Sequence, residues 1–268
     1  MTLLERDCRR AIVVGFAAVA GGAALVAARS GPAWRAMAFA AVAGSGWLIA
    51  SVTLRRALAS LPPPLRLGAA TRVTLARGLL VSVTGGFAVL PPTGVVAWTP
   101  ALLYATAALA DRLDGALARR FGQVTAMGQH LDGAMDALGL LAAPLVAVAW
   151  GRLPPWYLGL GATYYLYQAA SVARRRLRLP LFPERVVRRP VTRTFAGLQM
   201  ILVAAALPPV LPYALTAPAA TLLMAPTLAF FLRDWLLLTG RGPASTLSRS
   251  RVAADSSPRG NTGPDARR

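Results

Sequence analysis

Along the chain, apolar stretches long enough to cross a bilayer alternate with short polar or turn-forming breaks. A spanning helix needs about 20 mostly apolar residues. Eight segments supply them, at 11–28, 36–54, 73–90, 95–118, 127–150, 155–173, 194–210 and 214–238. The breaks near Gly31-Pro32, Pro91-Pro92, Pro154-Pro155 and Pro208-Pro209 are short, apolar or turn-forming, and carry only Arg29, Arg35 and Arg152. The alternate breaks hold nearly all the other arginines: Arg6, Arg9, Arg10, Arg55, Arg56, Arg66, Arg72, Arg112, Arg119, Arg120, the run from Arg174 to Arg193, and the tail. The positive-inside rule assigns that side to the cytoplasm, so the topology is N-in and C-in. The first apolar stretch follows arginine-rich sequence, as in a signal peptide. No small-residue cleavage site is evident and a second span follows directly, so it reads as a retained helix.

The expected fold class is an all-α integral membrane protein, with a six-helix core and two additional N-terminal transmembrane helices. Residues 1–60 form that N-terminal pair, the Pro62-Pro63-Pro64 stretch reads as a linker, and residues 61–239 hold the other six spans. Residues 240–268 are rich in Ser, Pro, Gly, Asp and Arg and have too few bulky apolar side chains to bury a core, which predicts a disordered basic tail. Trp47, Trp98, Trp150, Trp156 and Trp235 fall near span ends or within spans, and an interfacial aromatic belt explains most of them.

Composition agrees with the pattern: 56% of the 268 residues are apolar, 15% are charged, and mean hydropathy is +0.52. All 29 basic residues are arginine, against 10 acids, for a net charge of +19. In a membrane chain this excess points to anionic lipid headgroups and phosphorylated ligands rather than nucleic acid. One cysteine, Cys8, and one histidine, His130, exclude an intramolecular disulfide framework and a His/Cys zinc site.

Four of the ten acids crowd into 26 residues: Asp111 and Asp114 at the cytoplasmic end of the fourth span, and Asp132 and Asp136 at the start of the fifth. Spacings of three and four place each pair on one helical face. Two antiparallel helices can turn both pairs inward. Carboxylates converging without compensation repel one another and are costly to desolvate. Cations between them resolve the conflict, and an all-oxygen donor set selects a hard ion, Mg²⁺ or Mn²⁺, at one or two positions. Gly115, Ala118 and Gly128 leave room for a bulky ligand to approach the backbone, and Arg119 offers a fork for phosphate oxygens. On the residues alone two other readings stand: acids that neutralise neighbouring arginines, and a proton- or metal-coupled transporter.

The order D-x-x-D-G-x-x-A-R, eight residues, G-x-x-x-D-x-x-x-D is filled here by Asp111, Asp114, Gly115, Ala118, Arg119, Gly128, Asp132 and Asp136. It resembles the signature of the CDP-alcohol phosphotransferases, over about residues 68–238. The resemblance implies a six-helix membrane core, usually homodimeric. It also implies a metal-dependent transfer of a substituted phosphate from a CDP-linked donor, CDP-diacylglycerol or another CDP-alcohol, to the hydroxyl of a polar acceptor alcohol, with CMP released. By position, the resemblance makes Asp111, Asp114, Asp132 and Asp136 metal ligands for two ions of Mg²⁺ or Mn²⁺, and Asp136 also the general base. Gly115, Ala118, Gly128 and Arg119 would shape the nucleotide and diphosphate pocket.

Thr71-Arg72-Val73-Thr74-Leu75-Ala76-Arg77 resembles the family's N-x-x-T-x-x-R, with Thr71 in place of Asn. The resemblance gives Thr74 and Arg77 contacts to nucleotide or phosphate; interfacial snorkelling is the alternative for Arg77. Arg174 and Arg193, at the ends of the polybasic connector, are candidates for an acceptor phosphate, while the run as a whole suits an anchor on anionic membrane lipid. An Arg-Glu pair expected in the glycerol 3-phosphate branch is replaced by Tyr164-Tyr165-Leu166-Tyr167-Gln168, which leaves that acceptor one candidate among several. Phospholipid synthesis at the inner or plasma membrane, with the site facing the cytoplasm, is the expected setting. A CDP-linked small alcohol as donor with a lipid as acceptor shares the same signature.

Overall fold

The computed structural model of the chain describes residues 3–29, 32–60, 67–120, 126–182 and 190–240; the side chains of 112–120 and 190–193 lie outside that description. Eight α-helices account for nearly all of it: α1 (Leu3–Arg29), α2 (Ala33–Ser60), α3 (Ala69–Gly86), α4 (Thr99–Arg120), α5 (Ala126–Ala149), α6 (Leu158–Arg176), α7 (Pro190–Ala206) and α8 (Tyr213–Leu238). Short 3₁₀ turns at Phe87–Val89, Gly94–Ala97 and Pro155–Tyr157 join them, and no strand occurs among the described residues. Each apolar stretch of the sequence thus becomes one helix. The linker at 61–66 and the tail beyond 240 fall outside the described residues.

Helices are the expected solution in lipid, where every backbone polar group must be satisfied within its own segment. Five of the eight, α1, α2, α3 with its following turn, α5 and α8, are long and apolar enough to cross a membrane, and residues Thr194–Ala206 of α7 form a shorter apolar helix. Their outward faces carry exposed Val13, Val14, Leu25, Leu48, Leu215 and Leu222, side chains that water would disfavour and lipid accepts. The chain is an integral membrane protein. Hydroxyls inside the spans fold back on their own helices: Ser82 Oγ donates to Gly78 O at 2.7 Å and Thr84 Oγ1 to Leu80 O at 2.8 Å. Helix ends follow the prolines. Pro190 opens α7, where its missing N–H costs nothing, and Pro208-Pro209 follows its last turn at Ala206.

α3 sits at the centre, packed against α2, α4 and α5, while α6, α7 and α8 close the other flank of α5. The N-terminal pair is built into this core rather than set apart from it. Leu4, Cys8 and Ile12 of α1 share a buried cluster with Leu54 and Ala57 of α2, Leu75 of α3, and Met127 and Leu131 at the start of α5. Trp47 departs from the aromatic belt. It is buried in the core, its Nε1 donates to Ile12 O at 3.0 Å, and its ring lies where a Cβ on Gly15 would be, 2.0 Å from Cε2. Trp34, Trp98 and Trp156 are exposed, as a belt requires.

Proline 144 lies inside α5 and cannot donate to the carbonyl of Leu140. Gly161 of α6 packs against that carbonyl: a Cβ built on Gly161 would lie 2.6 Å from Leu140 O and 3.1 Å from Leu141 Cα. Both obstacles are backbone atoms, so a side chain at 161 forces two helices apart. Gly161→Val should therefore lower stability in detergent micelles by about 1–3 kcal/mol, measured as a fall in the unfolding midpoint, whereas Gly21→Ala, with nothing within 4 Å of the added Cβ, should leave it unchanged.

Candidate metal and phosphate site

Three helices bring the site together. α4 carries Asp111, α5 carries Asp132 and Asp136 on one face, and α3 delivers Arg77 between them. Close approach of α3 to α5 depends on Gly78, next to Arg77 in sequence: a Cβ there would lie 2.3 Å from Sδ of Met135, the neighbour of Asp136. Met135 is itself buried.

One carboxylate oxygen from each of Asp111, Asp132 and Asp136 lies within 4.8 Å of the others. The Arg77 guanidinium bridges all three. Its Nη1 donates to Asp111 and lies 3.0 Å from Asp136 Oδ1, and its Nη2 donates to the Asp132 carboxylate and, at 3.2 Å, to the Asp132 carbonyl. Side-chain exposure separates the two charge types: 4% for Arg77, against 32%, 43% and 38% for Asp111, Asp132 and Asp136. The guanidinium forms the floor and the carboxylates the open rim. Three carboxylates and one guanidinium leave a formal charge of −2 (−3 + 1) on the cluster.

That residual charge and the donor chemistry suit a hard divalent cation. Opposite oxygens around such an ion lie about 4.2 Å apart, twice a metal–oxygen bond of about 2.1 Å, which is within the span of this cluster. Asp111, Asp132 and Asp136 are thus the residues brought together. Asp114, Gly115, Ala118 and Arg119 lie on the last turns of α4, and their side chains fall outside the description. Gly128 is in the first turn of α5, partly buried. Thr74 lies one turn before Arg77, buried, with Oγ1 donating to Ala70 O at 3.1 Å. Arg174 is at the last turn of α6, where its Nη2 donates to Pro180 O at 3.1 Å; the side chain of Arg193 is outside the description. His130 is exposed.

Thr71, at the position where the family pattern has Asn, is buried in the first turn of α3. Arg72 next to it points elsewhere and pairs with Asp7 of α1 at 3.5 Å. The role of Arg77 as countercharge to the aspartates was not apparent in the sequence. Its signal was there in outline, since an arginine five residues past Arg72 faces a different side of α3 and lies deeper in the span.

The model for the CDP-alcohol phosphatidyltransferase family matches residues 67–239, from the residue before α3's cap to the end of α8. The chain belongs to that family. A cardiolipin synthase (CMP-forming) of Streptomyces coelicolor is 41% identical over 59 residues, which is 22% of this chain and 27% of that protein. The similarity therefore spans about a quarter of that relative's length. No solved structure matches the chain. The acidic cluster lies inside the matched region.

The floor-and-rim arrangement makes Arg77 a structural necessity. Arg77→Gln should destabilise the protein by about 3 kcal/mol, the scale for removing one partner of a buried charge cluster, read from unfolding midpoints in cation-free micelles. Arg77→Lys should recover only part of the loss, because a single ammonium cannot fork across carboxylates from two helices.

Proposed function

We propose that the protein transfers the phosphatidyl group of CDP-diacylglycerol to the hydroxyl of a polar alcohol, with or without a phosphate of its own. The acceptor oxygen bonds to the phosphorus next to the diacylglycerol, the bond from that phosphorus to CMP breaks, and the hydroxyl proton passes to a carboxylate. The observation that carries this reading is the convergence of Asp111, Asp132 and Asp136 over a buried arginine, at the hairpin that bears the family's motif.

Each residue has a task in this reading. Asp111, Asp114, Asp132 and Asp136 hold Mg²⁺ or Mn²⁺, at two positions. Bound there, the metal neutralises diphosphate charge and stabilises the leaving CMP. Asp136 accepts the acceptor's proton. Gly115, Ala118 and Gly128 admit the nucleotide, and Arg119 and Thr74 contact the nucleotide and diphosphate. Arg77 fixes the orientation of the three rim carboxylates and presents its charge beneath the reacting phosphate. Arg174 and Arg193 receive an acceptor phosphate. Within the same proposal the protein is a homodimer of the inner or plasma membrane, N-in and C-in, with the site open to the cytoplasm. Arginine on that side supports the orientation.

The cardiolipin synthase similarity favours a second acceptor class, a hydroxyl carried by a lipid. Purified protein in mixed micelles with CDP-diacylglycerol should release CMP only with Mg²⁺ or Mn²⁺, and the panel of glycerol 3-phosphate, inositol 1-phosphate, inositol, serine and phosphatidylglycerol should identify the acceptor. Asp136→Asn should cut the rate by about 10²–10⁴-fold, the usual scale for a positioned general base. CMP release that ignores chelator or survives Asp136→Asn would defeat the assignment. Independently of turnover, Mn²⁺ should raise the unfolding midpoint of the wild-type protein and not that of Asp132→Asn.

A further inference from the structure

A cavity runs inward from the acidic cluster between α3, α4 and α5. Arg77 and Asp136 line it at the cluster, Val81, Met135 and Met200 are among its apolar walls, and Tyr104 lines it deeper in the bundle. Tyr104 stands seven residues before Asp111 on α4, about 10 Å along the axis at 1.5 Å per residue. Its ring packs on the α5 backbone at Gly139, one turn past Asp136, where a Cβ would lie 3.8 Å from Cε2. The side chain is 3% exposed. Its hydroxyl is fully buried and has no hydrogen-bond partner among the described residues.

A buried phenol normally finds a partner, and the neighbouring tyrosine shows what satisfaction looks like. Tyr157 donates to Gln199, whose Nε2 donates to Thr227 Oγ1 at 3.2 Å, which in turn donates to Leu223 O at 3.0 Å. That chain is closed without Tyr104. The Tyr104 O–H is thus a spare donor on the membrane side of the carboxylates, while Arg77 Nε, at the cluster end of the same cavity, is likewise buried without a partner among the described residues.

The cavity's chemistry narrows what it can receive. A polyol would bring more hydroxyl donors than the apolar walls at Val81, Met135 and Met200 can pair, and Arg77, the cation lining the cavity, is already held by Asp111, Asp132 and Asp136, so an anionic group would find no free countercharge. A neutral oxygen that only accepts, flanked by hydrocarbon, is the fit. In a phosphatidyl donor that group lies close to the reacting phosphorus, on the side away from the nucleotide: the ester carbonyl of the diacylglycerol.

We propose that Tyr104 donates its phenolic hydrogen bond to a glycerol-ester carbonyl of the phosphatidyl donor, making it a determinant of which lipid enters the site. This rests on the phosphatidyl transfer proposed above. It places the ester carbonyl oxygen alone in the inner cavity and leaves the rim of the cluster to the diphosphate.

The test compares CDP-diacylglycerol with its dialkyl-ether analogue, which lacks both carbonyls, at fixed acceptor and metal in mixed micelles. Wild-type protein should show a KM for the ester lower than that for the ether by about five- to tenfold, the scale of one buried hydrogen bond. Tyr104→Phe keeps the ring against Gly139; with it, the ester KM should rise to the ether value and the preference vanish, while the acceptor KM stays put. A wild-type enzyme indifferent to the carbonyls, or a Tyr104→Phe variant that still prefers the ester, overturns the proposal. The wild-type comparison needs no variant and decides the matter even if Tyr104→Phe fails to fold. Absence of CMP release from either lipid with every acceptor would defeat phosphatidyl transfer instead. The same two lipids are then compared by the rise each causes in the unfolding midpoint: an ester preference lost in Tyr104→Phe sustains the assignment, and equal or absent shifts overturn it.

Discussion

A guanidinium shut away from solvent and held by carboxylates from two other helices fixes where α3, α4 and α5 can sit. Neither charge type is tolerable there alone: an unpaired arginine in that position carries a large desolvation cost, and three unpaired carboxylates repel. Together they form a cluster that is satisfied on its inner side and still negative on its outer side. The remaining negative charge is what a cation-assisted phosphate chemistry requires. The same interaction therefore serves cohesion and, in the proposed function, the reaction, and the small residue at Gly78 is the packing condition that lets it form.

Around this centre the two N-terminal helices act as a buttress. Leu4 and Cys8 of α1 share a buried cluster with Met127 and Leu131 at the start of α5, and α2 packs against both α1 and α3. The acidic hairpin is thereby supported on a side that would otherwise face lipid. On the other flank, the buried Tyr157–Gln199–Thr227 chain ties the start of α6 to α7 and α8. Polar side chains hold helices together here because lipid offers no hydrophobic drive between them.

Much of this was legible in the sequence, and the parts that were not share a cause. Helix positions follow directly from the length of each apolar stretch, and the aspartates announce themselves because charge is scarce in such segments. Spacing also put Asp132 and Asp136 on one face, as the structure has them. Partnership across helices is a different matter. Arg77 read as a phosphate contact because nothing in a linear pattern says that α3 lies between α4 and α5. Trp47 read as a belt residue because its depth and its glycine partner, 32 residues earlier (47 − 15), are properties of packing. Tyr104 gave no signal, being one aromatic among apolar neighbours until the cavity beside it was visible. The end of α4, where Asp114 and Arg119 lie, is where sequence reasoning still carries the description of the side chains.

The order of these residues along the chain bears on how the protein is made. Arg77 precedes Asp111 by 34 residues and Asp132 by 55, so a ribosome feeding the membrane delivers the cation first and its partners later. Until α4 arrives, the long aliphatic stem allows the guanidinium to reach up to the headgroup region. Each aspartate-bearing helix then meets a charge already waiting at the interface, so the hairpin is received by α3 as it emerges. The acidic cluster can in this way be completed within the bilayer, once α5 has joined α3 and α4, before any nucleotide or metal has bound.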